Sequence, residues 1–156
     1  MYAMRRTIVL VSCCGPKLAH AAPARELYTS QLFRLASAWA ESQGHEWAVL
    51  SALYHVVQPD QVVEPYDRRV PTKRNEWNAW AKSTRGALMD LTEGEPCDFI
   101  NLAGADYDVN VTSTMRLSQS YPTGHTMTYP LAGLGIGQRL QWLSRELHAA
   151  QTLSLF

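Results

Sequence analysis

The segment Thr7-Ile8-Val9-Leu10-Val11-Ser12 constrains the fold more than any other part of the chain. It is apolar on both parities, rich in β-branched residues, and runs into the turn signal Cys13-Cys14-Gly15-Pro16. A strand with one wet face alternates apolar and polar residues, so apolarity on both parities predicts a strand covered on both sides. That is the signature of a parallel sheet flanked by helices. Beyond Gly15, Pro16 and Pro23, apolar Leu32, Leu35, Ala36, Trp39 and Ala40 recur at helical spacing, and Gly44 follows where a helix should stop. The reading is a crossover helix over Ala24–Gln43 leading to a second buried strand, Trp47–Leu50. Strand, helix, strand in this order favours a right-handed parallel unit.

Pro59, Pro65 and Pro71 remove backbone donors, so Gln58–Pro71 is expected as an extended loop over the strand ends. Trp77, Trp80, Ala81, Thr84, Leu88 and Leu91 predict a second helix over Asn75–Leu91, closed by Gly94 and Pro96. Phe99–Ala103 reads as a third strand, His125–Tyr129 as a short edge strand, and Gly137–Gln151 as a closing helix. Asp106–Tyr121 carries no decisive pattern. The expectation is a single α/β domain over residues 1–156, with a mostly parallel sheet of about four strands.

Composition bounds the function. With 156 residues, 46% of them hydrophobic, the chain has enough apolar material for one core. Its 14 Lys+Arg balance 14 Asp+Glu, whereas tight sequence-independent binding to nucleic acid draws on a large cationic excess. Any polynucleotide contact must therefore come from a local patch. The longest apolar runs, Ile8–Val11 and Trp47–Leu50, fall far short of the ~20 residues that span a bilayer. No membrane partner is expected, nor a signal peptide, because the apolar stretch behind Arg5 and Arg6 is short and lacks a small-residue cleavage site. Cys13, Cys14 and Cys97 cannot form a full set of bridges, which favours a reducing, cytoplasmic setting. They also lack zinc-ligand spacing, and neither a metal nor an organic cofactor is expected.

In an open parallel sheet, ligands sit beyond the carboxyl ends of the strands. Three loops begin there. The first, Ser12-Cys13-Cys14-Gly15-Pro16-Lys17, combines small residues that admit a ligand to the backbone with a compact cation, the makings of an anion cradle. A tight turn with buried cysteines and a solvated lysine reads from the same residues. Tyr28, beyond this loop, joins the substrate-binding set. The second loop carries Ser51, Tyr54, His55, Tyr66 and Asp67, which together supply ring stacking and hydrogen bonding for a flat heterocycle. The same tyrosines would also pack the loop, and Asp67 would also close a turn. The third loop sets Gly104 and then Asp106 after a strand, where an acid activates water or caps a helix. Gly133, Gly135 and Gly137 open the last helix and expose amide donors there, without the dinucleotide-binding spacing. Arg68, Arg69, Lys73 and Arg74 form the densest basic run, either a phosphodiester track or a solvated face.

These segments also resemble known families. Val11-Ser12-Cys13-Cys14-Gly15-Pro16-Lys17, Pro23-Ala24-Arg25-Glu26-Leu27-Tyr28-Thr29-Ser30 with Phe33, and Leu50-Ser51-Ala52-Leu53-Tyr54 with Pro59 and Pro65-Tyr66-Asp67 resemble a family of uncharacterised bacterial and phage domains. The Leu50–Tyr54 to Pro65-Tyr66 motif, and Ile100-Asn101-Leu102-Ala103 to Asp106-Tyr107, are also similar to motifs of the YaaA-like peroxide-stress proteins. The likeness spans most of residues 8–110. Because YaaA-like proteins are described as DNA-binding with a positively charged cleft, it implies a nucleic-acid or nucleotide context, without a reaction. His55 stands where the family usually has Gly.

The function expected is an enzyme acting on a nucleotide or nucleobase, hydrolysing or transferring at an N-glycosidic bond with Asp67 or Asp106 as acid or base. The alternative is a non-catalytic DNA-binding or stress-response module resting on Arg68, Arg69, Lys73 and Arg74.

Overall fold

The computed structural model describes residues 5–13, 15–109, 124–153 and 155; Cys14 and the stretch 110–121, within the segment that carries no decisive pattern, lie outside them. Strand β1 (Arg6–Ser12) is followed by β2 (Ala22–Pro23), α1 (Ala24–Leu27), α2 (Gln31–Ser42), β3 (Glu46–Ser51), β4 (His55–Val57) and β5 (Val62–Val63). Then come α3 (Arg74–Thr92), β6 (Cys97–Asn101), a 3-10 turn (Ala105–Tyr107), β7 (Thr126–Thr128) and α4 (Ile136–Leu153). Five strands form one sheet in the order β4-β3-β1-β6-β7. Among the described residues, only β4 in this sheet runs antiparallel to its neighbour. The architecture is α/β, with a mostly parallel sheet flanked by helices.

Strand β1 lies at the centre because its sequence leaves no other place for it. Ile8, Val9, Leu10 and Val11 are each at most 1% exposed. Burying such side chains stabilises by roughly 1.5–3 kcal/mol apiece, so these four together rival the net stability of a whole domain, about 5–15 kcal/mol. Phe33 of α2 meets Trp47 of β3 edge to face at 5.8 Å, and Trp39 of α2 meets Trp142 of α4 at 5.6 Å. Helix α2 thus packs on β1 and β3 and carries α4 against it, while α3 packs against β4.

The expected crossover helix is broken. Tyr28 is extended and forms an antiparallel bridge with Lys17, and Ser30 then caps α2 by accepting from the Phe33 amide at 3.1 Å. The apolar periodicity belonged to α2 alone. The sheet has five strands instead of about four, because the three-residue edge strand β4 is too short to show alternation. It is reached through His55 in the left-handed region, φ 67°. Within the Gln58–Pro71 loop, Val62–Val63 pairs with Ala22–Pro23 as a two-stranded ribbon. The third strand stops at Asn101, two residues early. The Asn101 carboxamide oxygen accepts from the Ala103 amide at 2.8 Å and bends the chain out of the sheet. The other elements lie within two residues of their expected bounds. Among the described residues no helix is long and apolar enough to cross a membrane.

From β1 the chain passes to β3 and β4 on one side, and α3 then returns it past β1 to β6 and β7. Such a reversal opens a crevice at the carboxyl ends of the two central strands. The crevice between β1 and β6 is where a ligand site belongs.

Candidate functional site

A cavity of about 550 Å³ occupies that crevice. Cys13, Gly15 and Lys17 line it from the loop after β1, Asp106 and Tyr107 from the turn after β6, and Asp67, Arg68, Arg69, Val70 and Thr72 from the strap that crosses above. Residues remote in sequence therefore share one cavity. Three cations and two carboxylates face it.

Each wall has a local cause. The loop after β1 is clamped antiparallel to the chain after α1: the Leu18 amide donates to the Leu27 carbonyl at 2.8 Å, and the Thr29 amide to the Pro16 carbonyl at 3.0 Å. Gly15 makes the turn at φ 94°, where a Cβ would sit 3.0 Å from the Ser30 Cβ. Only glycine suits both demands. On the opposite wall, the Trp77 indole of α3 donates to the Asp106 carbonyl at 2.8 Å and fixes the turn that carries Asp106.

Among the described residues, Lys17 is held without a carboxylate. Its ammonium stands 4.7 Å from the Tyr66 ring centroid and 5.7 Å from that of Tyr28, with the Gly15 carbonyl accepting at 3.4 Å. Below it lies a directed hydrogen-bond chain. The buried Ser51 hydroxyl accepts from the Leu53 amide at 3.2 Å and the Tyr54 amide at 3.0 Å. With both lone pairs used, it donates its proton to the Tyr66 oxygen at 2.7 Å, and Tyr66 donates in turn to Tyr28 at 2.8 Å. Burial pushes the Tyr28 phenol up to about 12, against the lowering effect of the Tyr66 bond. Burial raises Tyr66 as well. Both phenols are neutral supports for the cation above.

Cys13 is buried at the cavity floor, its Sγ accepting from the Ala52 amide at 3.4 Å and meeting the Tyr107 hydroxyl at 3.4 Å. Tyr107, missing from the expected binding residues, lines the cavity and stands edge-on to Trp80 at 5.8 Å. Its place directly after Asp106 at a strand end was the available signal.

Other expected residues lie elsewhere. Tyr28, Ser51 and Tyr66 stand behind the lining, with Tyr66 presenting its ring to Lys17 instead of to a ligand. Tyr54 packs edge-on against Tyr66 at 5.4 Å and is 42% exposed. Ser12 is buried at the end of β1. His55 turns to α3, its Nδ1 3.3 Å from the Thr84 hydroxyl, beside a separate cavity of about 400 Å³. Gly104 lies on the far side of the Asp106 turn, and the Gly135 amide donates to the Gln138 side chain at the start of α4. The basic run is split: Arg68 and Arg69 line the cavity, whereas Lys73 and Arg74 begin α3 in solvent. Among the described residues there is no cluster of three or more side chains suited to a metal.

A family model spans residues 8–145, from β1 into α4, and so includes every residue of the cavity; its description is Family of unknown function (DUF6884). The chain belongs to the DUF6884 family. No curated protein and no solved structure matches it significantly. In this DUF6884 chain the Lys17 loop, the Asp67–Thr72 strap and the Asp106 turn all fall inside the matched span.

Proposed function

We propose that the cavity binds a nucleotide and that the protein hydrolyses or transfers at its N-glycosidic bond. The observation that carries the reading is the convergence of Lys17, Arg68 and Arg69 with Asp67 and Asp106 on one cavity at the β1/β6 crevice. Its volume falls within the ~300–1,000 Å³ common for small-molecule sites. The cations would take the phosphate, and Tyr107 offers a ring to the base. In hydrolysis, water adds to C1′, one carboxylate takes the proton from that water and returns it to solvent, and the C1′–N electron pair leaves with the base, which takes a proton from solvent as it departs. A carboxylate beside C1′ also stabilises the cationic character that develops on the sugar.

The test is incubation with a panel of 5′-nucleotides and modified-base DNA, with chromatographic detection of released base. Release by wild type and its loss in Asp67→Asn or Asp106→Asn support the reading. Equal inertness of wild type and both variants across the panel ends it. Salt-sensitive DNA binding without base release would instead favour the DNA-binding module, whose motivation is the exposed run Arg68, Arg69, Lys73 and Arg74.

A further inference from the structure

A second cavity, of about 290 Å³, lies on the other side of the turn that carries Asp106. Asp106 and Tyr107 line the first cavity, while Gly104, Ala105 and Asp108 line the second, so five consecutive residues form a shared wall. The opposite side comes from Tyr129, just after β7, and from Gly133 and Arg139 near the start of α4.

Two of its polar groups satisfy each other. The Tyr129 hydroxyl donates to the Asp108 carboxylate at 2.6 Å, and burial together with that carboxylate raises the phenol. Arg139 is different. Its Nε donates to the Leu134 carbonyl at 2.8 Å, which orients the guanidinium plane, and Nη1 comes within 3.9 Å of where a Gly104 Cβ would stand. Among the described residues neither terminal nitrogen is paired with a carboxylate or carbonyl. A guanidinium fixed through its third nitrogen presents its fork to a planar or tetrahedral oxyanion.

We propose that this cavity is a second ligand site, in which Arg139 takes the carboxylate or phosphate of a small acid distinct from the ligand of the first cavity. The volume is at the lower edge of the range for drug-sized ligands, which suits a small acid better than a whole nucleotide. The turn that carries Asp106 separates the two cavities, so the site is proposed for binding alone and does not rest on the reading of the first cavity.

The probes are sodium acetate and inorganic phosphate, titrated separately into the ¹⁵N-labelled full chain at constant ionic strength. Saturable shifts of the Gly104, Ala105 and Gly133 amides are expected with at least one of them. Arg139→Met should weaken that binding at least tenfold and Arg139→Lys by less, while Lys17→Met leaves these shifts in place. Shifts that never saturate, that survive both Arg139 variants unchanged, or that vanish in Lys17→Met would overturn the site. Because the measurement needs no turnover, failure of base release with intact binding at Arg139 would strike only the reading of the first cavity.

Discussion

Lys17 carries its ammonium 4.7 Å above the Tyr66 ring, and the Tyr66 hydroxyl is in turn held 2.7 Å from the Ser51 hydroxyl. A cation–π contact at a partly exposed site is worth about 0.5–1 kcal/mol, less than a charge-assisted bond to an anion. The arrangement positions the cation without neutralising it, which leaves its charge for a ligand.

Lys17→Met should therefore separate binding from folding. Nucleotide affinity, measured by calorimetry, is expected to fall about tenfold or more, while stability changes by less than about 1 kcal/mol. Undiminished affinity would remove Lys17 from the site.

Tyr66→Phe breaks the chain below the cation. The Ser51 proton loses its acceptor, and Tyr28 loses its donor. A cost of about 1–3 kcal/mol is expected in urea denaturation, together with weaker nucleotide binding. A change within about 0.5 kcal/mol would mean that the hydroxyl chain does not support the loop.

Gly15→Ala places a Cβ 3.0 Å from Ser30 Cβ on a backbone with φ 94°. The combined strain is expected to cost about 1–3 kcal/mol and to displace Lys17. A thermal midpoint equal to wild type would show that the turn adapts.

Alkaline stability follows from the buried phenols. Tyr28 is raised to about 12 in the fold, with Tyr66 raised in the same direction, whereas a tyrosine in an unfolded chain titrates near 10. The unfolded chain releases its protons first. The stabilisation is complete below pH ~10 and is lost as pH rises toward 12. Phenolate absorbance should rise together with loss of near-UV dichroism in that window. Ionisation of every tyrosine near pH 10 in the folded state would contradict the hydroxyl chain.

The basic run has two halves with different consequences. Lys73 occupies the N-cap of α3 without a side-chain cap, and with Arg74 it places positive charge where the helix dipole disfavours it. Lys73→Ser supplies an acceptor and should stabilise by about 0.5–2 kcal/mol without weakening nucleotide binding, whereas Arg68→Met should weaken binding. Equal loss of nucleotide affinity in both variants would show that the whole run contacts the ligand.

Much of the architecture was legible because its causes are local or periodic. The two-faced apolarity of Thr7–Ser12 identifies a covered central strand. The 3.6-residue spacing of Leu32 to Ala40 and of Trp77 to Leu91 identifies helices. The rule for parallel sheets then points to the loops at Ser12, Ser51 and Ala103, and all three reach the cavity, the second only through Asp67 at its far end. What escaped was set by single contacts. A lone bridge between Lys17 and Tyr28 splits the crossover helix, and a Ser51 hydroxyl that accepts two amides shapes the turn into β4. Neither leaves a pattern along the chain.

Hydrophobic periodicity by itself determined the fold class, since apolar residues must leave water whatever surrounds them. Three-dimensional packing decided the site. Residue type could not distinguish Tyr66, which faces inward to Ser51 and Tyr28, from Tyr107, which lines the cavity. Nor could it separate Arg68 and Arg69 from Lys73 and Arg74 within one basic run. Those outcomes depend on the direction in which a strap crosses a sheet, and direction arises from contacts between segments dozens of residues apart.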